Sequence, residues 1–170
     1  MINAMKGFLF CAMSLLVLAL TGCVSERNKL VLDSVGPAHA SAPQPTSEGF
    51  LTVYSAYDQG AHFYSRDYEG REYSDYSILE ANGQPLREVH NSTDTIMDSP
   101  ATVSLPPGQY KVIARANGYG NVTVPVTIER NRQTIVHLEG GETRPELAGA
   151  DPDKMVRLPD GRIVGFKSNL

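Results

Sequence analysis

A strict alternation of apolar and polar residues restricts the second half of this chain to β-structure. In "NVTVPVTIE" at 121–129, one face of the pattern holds Val122, Val124, Val126 and Ile128. A period of two is the spacing of a strand buried on one side, and it differs from the period of an amphipathic helix. "YKVIARA" and "TIVHLE", at 110–116 and 134–139, repeat it. We therefore expect Val124 in a core, Thr123 facing water, and Pro125 on an edge strand or pointing outward.

Short turn sequences separate these strand patterns. "LPPGQ", "NGYGN" and "RNRQ" lie between them and carry the Pro, Gly and Asn that turns require. Further upstream, "YSILEANGQPLREV" predicts a hairpin closed by a type I′ turn at Asn82 and Gly83. "GFLTVYSAY" at 49–57 predicts the first strand. Several short strands at this spacing predict an all-β fold, an antiparallel β-sandwich.

The N-terminus has the pattern of a targeting segment. Lys6 precedes an uncharged run from Gly7 to Leu20, "GFLFCAMSLLVLAL". A basic residue followed by a short apolar stretch is typical of a signal peptide. The run is shorter than the roughly 20 apolar residues that cross a bilayer, so a retained membrane span is the weaker interpretation.

The end of that run resembles the lipobox of bacterial lipoproteins. Leu20, Thr21, Gly22 and Cys23 match its pattern of Leu, a small residue, Gly or Ala, and Cys. The resemblance implies removal of residues 1–22 and a lipid on Cys23 carrying acyl chains such as palmitate. The alternatives, a disulfide with Cys11 or a zinc site, need both cysteines in the mature chain. In such lipoproteins an Asp directly after the lipidated cysteine resembles an inner-membrane retention signal. This chain has Val24 at that position, which favours the outer membrane, facing the periplasm.

Composition divides the rest of the chain. Residues 23–48 include "GPAHASAPQPTSEG", which has almost no large apolar residue and predicts a flexible tether after the lipidated Cys23. Within it, "KLVL" at 29–32 could add a strand to the domain. The predicted sandwich domain covers 49–140. In the extension at 141–170, Pro159, Asp160 and Gly161 predict a hairpin loop that either pairs with the sandwich edge or hangs free.

The order of these pieces resembles a known domain type. The hairpin at "ANGQPL" and the stretch from Pro100 to Gly140 are similar to carboxypeptidase regulatory-like and PEGA-type domains, which share a transthyretin-like, carbohydrate-binding-like fold. The match covers about 73–140 and is carried by Pro100, Leu105, Pro107, Gly108, Tyr110, Val112, Gly118 and Tyr119. The resemblance implies a rigid scaffold or binding module, and it does not specify an activity.

Common catalytic and metal-binding motifs are absent from the sequence. There is no G-x-S-x-G, H-E-x-x-H, P-loop or EF-hand pattern, and the four histidines lie far apart. His137 should point outward as an ordinary surface histidine, whereas His62 and His90 could still meet other residues in space. Basic residues are scattered and the formal net charge is -4, so nucleic acid is not an expected partner. We expect no enzyme activity, no metal and no cofactor.

Tyrosines are concentrated in one segment. Six of the eight lie in "YSAYDQGAHFYSRDYEGREYSDYS", interleaved with charged residues. Tyrosine offers a large contact area and a hydroxyl at low entropic cost, so Tyr64, Tyr68 and Tyr73 are candidate binding residues. Alternatively, several of these rings cover an open end of the sandwich.

Together these patterns predict an envelope lipoprotein that is held to the membrane through the lipid on Cys23. Its domain is expected to act as a non-catalytic binding or scaffolding module. Two more specific alternatives stay open: a carbohydrate- or peptidoglycan-binding lipoprotein, and an accessory subunit of an envelope or secretion assembly. The partner would accordingly be a glycan or an envelope protein.

Overall fold

The structure is a computed structural model that describes residues 30–37, 47–58, 72–91, 99–140 and 151–168. Its strands in chain order are β1 (Leu30–Val31), β2 (Val35–Gly36), β3 (Gly49–Tyr54), β4 (Tyr76–Glu80), β5 (Pro85–Val89), β6 (Thr102–Leu105), β7 (Gly108–Ala116), β8 (Gly120–Ile128), β9 (Gln133–His137), β10 (Met155–Arg157) and β11 (Ile163–Lys167). The helical structure in these residues is a single 3-10 turn, Pro152–Lys154. Lipidation at Cys23 concerns a residue outside the described ranges.

The strands form two sheets that share one core, and the protein is an all-β sandwich. The larger sheet has the order β10-β11-β2-β8-β7-β4-β5, with β1 also paired to β8, and the smaller has the order β6-β3-β9. Residues of both sheets belong to a single buried apolar cluster, which includes Leu51, Val53 and Val136 from the smaller sheet. The prediction of an all-β sandwich is confirmed.

The pairing is mixed, which corrects the expectation of a purely antiparallel sandwich. β1 and β2 both run parallel to β8, and β3 runs parallel to β9. Parallel neighbours need a long connection between them, and here most of the domain lies between the paired strands. The turn signals of the sequence report only adjacent hairpins, so they could not reveal these long-range pairs.

The β7–β8 hairpin confirms the alternation that the sequence predicts. The two strands pair in register from Gly108 with Ile128 to Ala116 with Gly120. Val124 is fully buried, whereas Thr123 is half-buried rather than fully exposed. Thr123 pairs with Val31 of β1, and this neighbour shields it from water.

Residues 30–37 are part of the sandwich, which corrects the tether predicted at 23–48. The Leu32 N–H donates to Thr123 O at 2.9 Å, so the next donor of this ladder would be Pro125, which has no N–H. The ladder stops there and resumes at Val35, which pairs with Val126 in a register shifted by one residue. Pro125 is therefore accommodated inside the sheet, opposite the break between β1 and β2, and not on an edge strand. Its half-buried side chain alternates with the buried Val124 and Val126, so the other predicted alternative, an outward-pointing position, is confirmed.

The β4–β5 hairpin is confirmed, but its turn differs from the prediction. Gly83 has a φ of 90°, and Asn82 is not in the left-handed region. The Gly83 N–H donates to Glu80 O at 2.8 Å, and the Glu80 N–H donates to Gln84 O at 2.9 Å. This is a three-residue loop in which only the glycine takes positive φ, instead of a two-residue type I′ turn.

The C-terminal hairpin is also part of the sheet, so the sandwich extends beyond the predicted limits of 49 and 140. β11 pairs with β2, and Val156, Leu158 and Val164 belong to the common core. The Leu158 N–H donates to Arg162 O at 2.9 Å, and Gly161 has a φ of 90°. The predicted three-residue loop at 159–161 is confirmed.

Candidate functional site

The tyrosine-rich segment is described only at its two ends, and there its rings pack into the protein. Tyr73 is 5% exposed, and its ring meets that of Tyr54 edge-on, with centroids 5.6 Å apart. The hydroxyls of Tyr57 and Tyr73 lie 3.2 Å apart. The proposal of Tyr73 as an exposed binding residue is therefore wrong, since its ring covers the end of the sandwich. Tyr64 and Tyr68, the other two candidates, lie outside the described residues.

Backbone pairing holds together the two described ends of the tyrosine-rich segment. Tyr57 and Tyr73 form an antiparallel bridge. The Asp58 N–H donates to Glu72 O at 2.8 Å, and the Ser74 N–H donates to Ala56 O at 3.0 Å. Residues 56–58 and 72–74 are therefore held side by side directly after β3.

His137 is buried beside the tyrosines, which corrects its expected position on the surface. Its side chain is 6% exposed, and its Nδ1 lies 3.1 Å from Oε1 of Glu139, whose side chain is 3% exposed. His137 pairs with Tyr54 across parallel strands, so both side chains project from the same outer face. The two rings stack with centroids 4.7 Å apart.

His137 and Glu139 have the composition of an acid–base pair, but their side chains are not accessible to a substrate. A histidine next to a carboxylate can move protons when a substrate reaches the ring. Here Tyr54 stacks on the imidazole, and Tyr73 packs against Tyr54. The pair is better suited to fixing the ends of β3 and β9 than to meeting a substrate.

The turn between β7 and β8 lies at the same end of the sandwich. Arg115 donates from Nη1 to Asp58 Oδ1 at 2.6 Å and from Nη2 to Tyr57 O at 2.7 Å. Beside it is an open depression of about 240 Å³, lined by Ala56, Tyr57, Arg115, Ala116, Asn117, Gly118 and Gly120. Arg115 thereby joins the tyrosine-rich segment to this turn.

The C-terminal hairpin reaches the same turn through Arg162. Its Nη2 donates to Asn117 O at 2.6 Å, and its guanidinium carbon lies 5.7 Å from the ring centroid of Tyr119. Arg162 Nε donates to Asp160 Oδ2 at 2.7 Å. Desolvation alone would raise the pKa of Asp160, but hydrogen bonds and the charge of Arg162 outweigh it and hold that pKa below its ordinary value. Asp160 therefore remains ionised and orients Arg162 over the tyrosine.

A second polar cluster is centred on Asn91, whose side chain is fully buried. Its Nδ2 donates to Val53 O at 2.8 Å and to Ser55 Oγ at 3.0 Å, while its Oδ1 accepts from the Ala101 N–H at 3.1 Å. Asn91 thus ties the chain around it to β3 and to the approach of β6. Nothing in the one-dimensional pattern marks this residue, because its partners are distant in sequence.

His90, one of the two histidines left open by the sequence, is on the surface. Its side chain is 77% exposed, and its Nδ1 lies 3.0 Å from Asp75 Oδ1. The same Asp75 oxygen accepts the Asn91 N–H at 3.1 Å. His90 and Asp75 therefore support the Asn91 cluster, and His62 lies outside the described residues.

Within residues 30–37, 47–58, 72–91, 99–140 and 151–168, no three His, Cys, Asp or Glu side chains are grouped so that they could hold a metal ion. In the same ranges there is no helix of the length and apolarity needed to traverse a bilayer.

Comparison with known proteins finds no matching family model, no matching curated protein and no matching solved structure.

Proposed function

We propose that this protein is a cell-envelope lipoprotein, anchored by a lipid on Cys23, whose β-sandwich serves as a non-catalytic binding or scaffolding module. The observation that carries the proposal is the stretch "LTGC" at 20–23, placed directly after an uncharged apolar run that follows Lys6. Cleavage before Cys23 discards Cys11, so the mature chain has one cysteine and the lipid occupies its sulfur.

The proposed location is the outer membrane, facing the periplasm, because the residue after Cys23 is Val24, whereas an Asp at that position would resemble an inner-membrane retention signal. Stable attachment needs more than one acyl chain, since a single chain gives only reversible binding. A diacylglycerol on Cys23, with a further acyl chain on its amino group, meets that requirement.

The domain type is part of the same proposal. The turn at Pro107 and Gly108 leads into β7, and a glycine-rich turn at 117–120 returns the chain as β8. This central hairpin supports a transthyretin-like, carboxypeptidase regulatory-like assignment, whose members act as scaffolds or binding modules.

A binding role is favoured over catalysis by the way the polar groups are used. His137 is covered by Tyr54, and Asn91 is bound to strand backbones. Arg115 binds Asp58 and the Tyr57 backbone. The polar side chains are therefore engaged in holding the ends of strands and the residues where loops begin.

The two cysteines provide a matched test of the anchor. Cys23→Ser removes the sulfur that receives the lipid, whereas Cys11→Ser changes the apolar run and leaves that sulfur in place. In cells grown with a labelled fatty acid, the Cys11→Ser protein should be labelled like the wild type, and the Cys23→Ser protein should be unlabelled and keep residues 1–22. Incorporation of label by Cys23→Ser would contradict the proposal.

A further inference from the structure

The start of β1 limits how far the sandwich can be from the membrane. Only residues 24–29 separate Cys23 from Leu30, which already pairs with Val122. An extended chain advances at most about 3.6 Å per residue, so Leu30 lies within roughly 25 Å of Cys23. A tether running to residue 48 would have allowed a much longer reach.

The same pairing indicates which end of the sandwich is nearest to the anchor. Val122 is two residues from Gly120, where the β7–β8 turn ends, and six residues from Ile128, where β8 ends. At about 3.4 Å per residue, these separations are roughly 7 Å and 20 Å. An inverted domain would need almost full extension of residues 24–29 back along the sheet, so this short link favours an orientation with the Asn117–Gly120 turn towards the anchor.

The surface at this end has groups that suit a bilayer interface. Val31 is 62% exposed, although it is a large apolar residue. Tyr119 is half-buried, with the Arg162 guanidinium over its ring. The side chain of Arg115 is 39% exposed beside the 240 Å³ depression. Tyrosine rings are favoured at the level of lipid headgroups. The guanidinium groups of Arg115 and Arg162 are each paired with a carboxylate, Asp58 and Asp160 respectively, so Val31 and Tyr119 are the groups that favour the interface.

We propose that the end of the sandwich formed by Val31, the Asn117–Gly120 turn and Arg162 lies against the phospholipid headgroups of the leaflet that holds the lipid of Cys23. The inference depends on the proposed lipidation, and it goes beyond it by assigning an orientation and a contact surface. It places the domain's action at the membrane surface, with the opposite end, around Gln109, directed away from the bilayer.

The test uses two exposed positions, Asn117 directly after β7 and Gln109 near the start of β7. Asn117→Cys places a thiol at the proposed contact surface, and the matched control Gln109→Cys places one about 27 Å away along the strand. Each full-length lipoprotein is purified from membranes, labelled with a thiol-reactive fluorophore, and inserted into vesicles of phosphatidylethanolamine and phosphatidylglycerol. Part of the phosphatidylethanolamine carries a nitroxide quencher on its headgroup.

The proposal predicts loss of fluorescence at position 117 and none at 109 when the quencher is present. Equal quenching at both positions, quenching at 109 alone, or quenching at neither would overturn it. The wild-type protein separates the two proposals. If it takes up the fluorophore, or fails to float with the vesicles, Cys23 is not lipidated and both proposals fail. If it floats unlabelled, a negative quenching result concerns the orientation alone.

Discussion

The β7–β8 hairpin and the tyrosine end of the sandwich are both buried, but they are built from opposite kinds of residue. In the hairpin, Val112 and Val124 are fully buried, and each belongs to a strand whose apolar face is visible in its own sequence. At the tyrosine end, Tyr73 and His137 are buried, and each is covered by the ring of Tyr54 from another segment. Burial in the first region follows from local alternation, whereas burial in the second follows from tertiary convergence. The predictions below test this difference.

The largest effect is expected at Tyr73. Tyr73→Ala removes a ring that packs against Tyr54 and Tyr57, so the free energy of unfolding should fall by about 3–5 kcal/mol, as for other large buried aromatic residues. Urea unfolding of the purified protein measures this loss. A change within ~0.5 kcal/mol, typical of an exposed position, would mean that the ring is not part of the packed end.

Val124 and Thr123 test the hairpin. Val124→Ala should lower the free energy of unfolding by about 1–3 kcal/mol, because it removes two methyl carbons from a fully buried site. Thr123→Ala, the adjacent control, should cost less than about 1 kcal/mol, since the side chain is only half-buried beside Val31. Equal losses in urea unfolding would contradict the assignment of faces.

Replacing tyrosine by phenylalanine distinguishes a hydroxyl that has a partner, that of Tyr73, from a buried hydroxyl that has none among the described residues, that of Tyr76. Tyr73→Phe removes a hydroxyl that contacts Tyr57 and should destabilise by about 0.5–1.5 kcal/mol. The Tyr76 hydroxyl is buried and has no hydrogen-bond partner among the described residues. Tyr76→Phe should therefore be neutral or stabilising by about 1 kcal/mol, because it removes an unpaired polar group. A clear loss of stability in Tyr76→Phe would contradict this description of the site.

The buried Tyr76 hydroxyl should also make the free energy of unfolding depend on pH. Burial raises the pKa of Tyr76, and the charge of Arg87 offsets only part of that rise. The folded state therefore favours the protonated phenol. The stability that this preference contributes is fully present below the ordinary pKa of about 10 and is lost as the pH rises above it. Between about pH 9 and about pH 11, the wild type should lose more stability than Tyr76→Phe. Parallel pH profiles would contradict the assigned cause.

Local patterns predicted the elements whose evidence is contained in one or two strands. The alternation at 121–129, the hairpin at Asn82 and Gly83, and the loop at 159–161 were all predicted from adjacent residues. The type I′ turn was wrong because the dipeptide does not reveal that the loop contains three residues. The sequence left β1 open, because "KLVL" at 29–32 could add a strand, and that alternative is confirmed. It missed β2 and the parallel pairing, because a proline-rich composition follows these residues and their partner β8 lies far along the chain.

The candidate site was less predictable for a related reason. His137 was expected outside because alternation along β9 assumes that the outer face of a strand meets water. Tyr54 covers that face, and the register that brings the two rings together links strands far apart in sequence. Asn91 and Arg162 likewise have partners that no spacing rule connects to them. The lipid-anchor motif is different, because all of its information lies in consecutive residues.

We propose that a lipid on Cys23 holds a sandwich whose first described strand starts at Leu30. Mass spectrometry of the N-terminal peptide from the membrane-extracted protein detects that lipid. The predicted result is a chain that begins at Cys23, with a mass increased by a diacylglyceryl group and any N-acyl chain. A mature chain that retains residues 1–22, or that carries an unmodified Cys23 thiol, would contradict it.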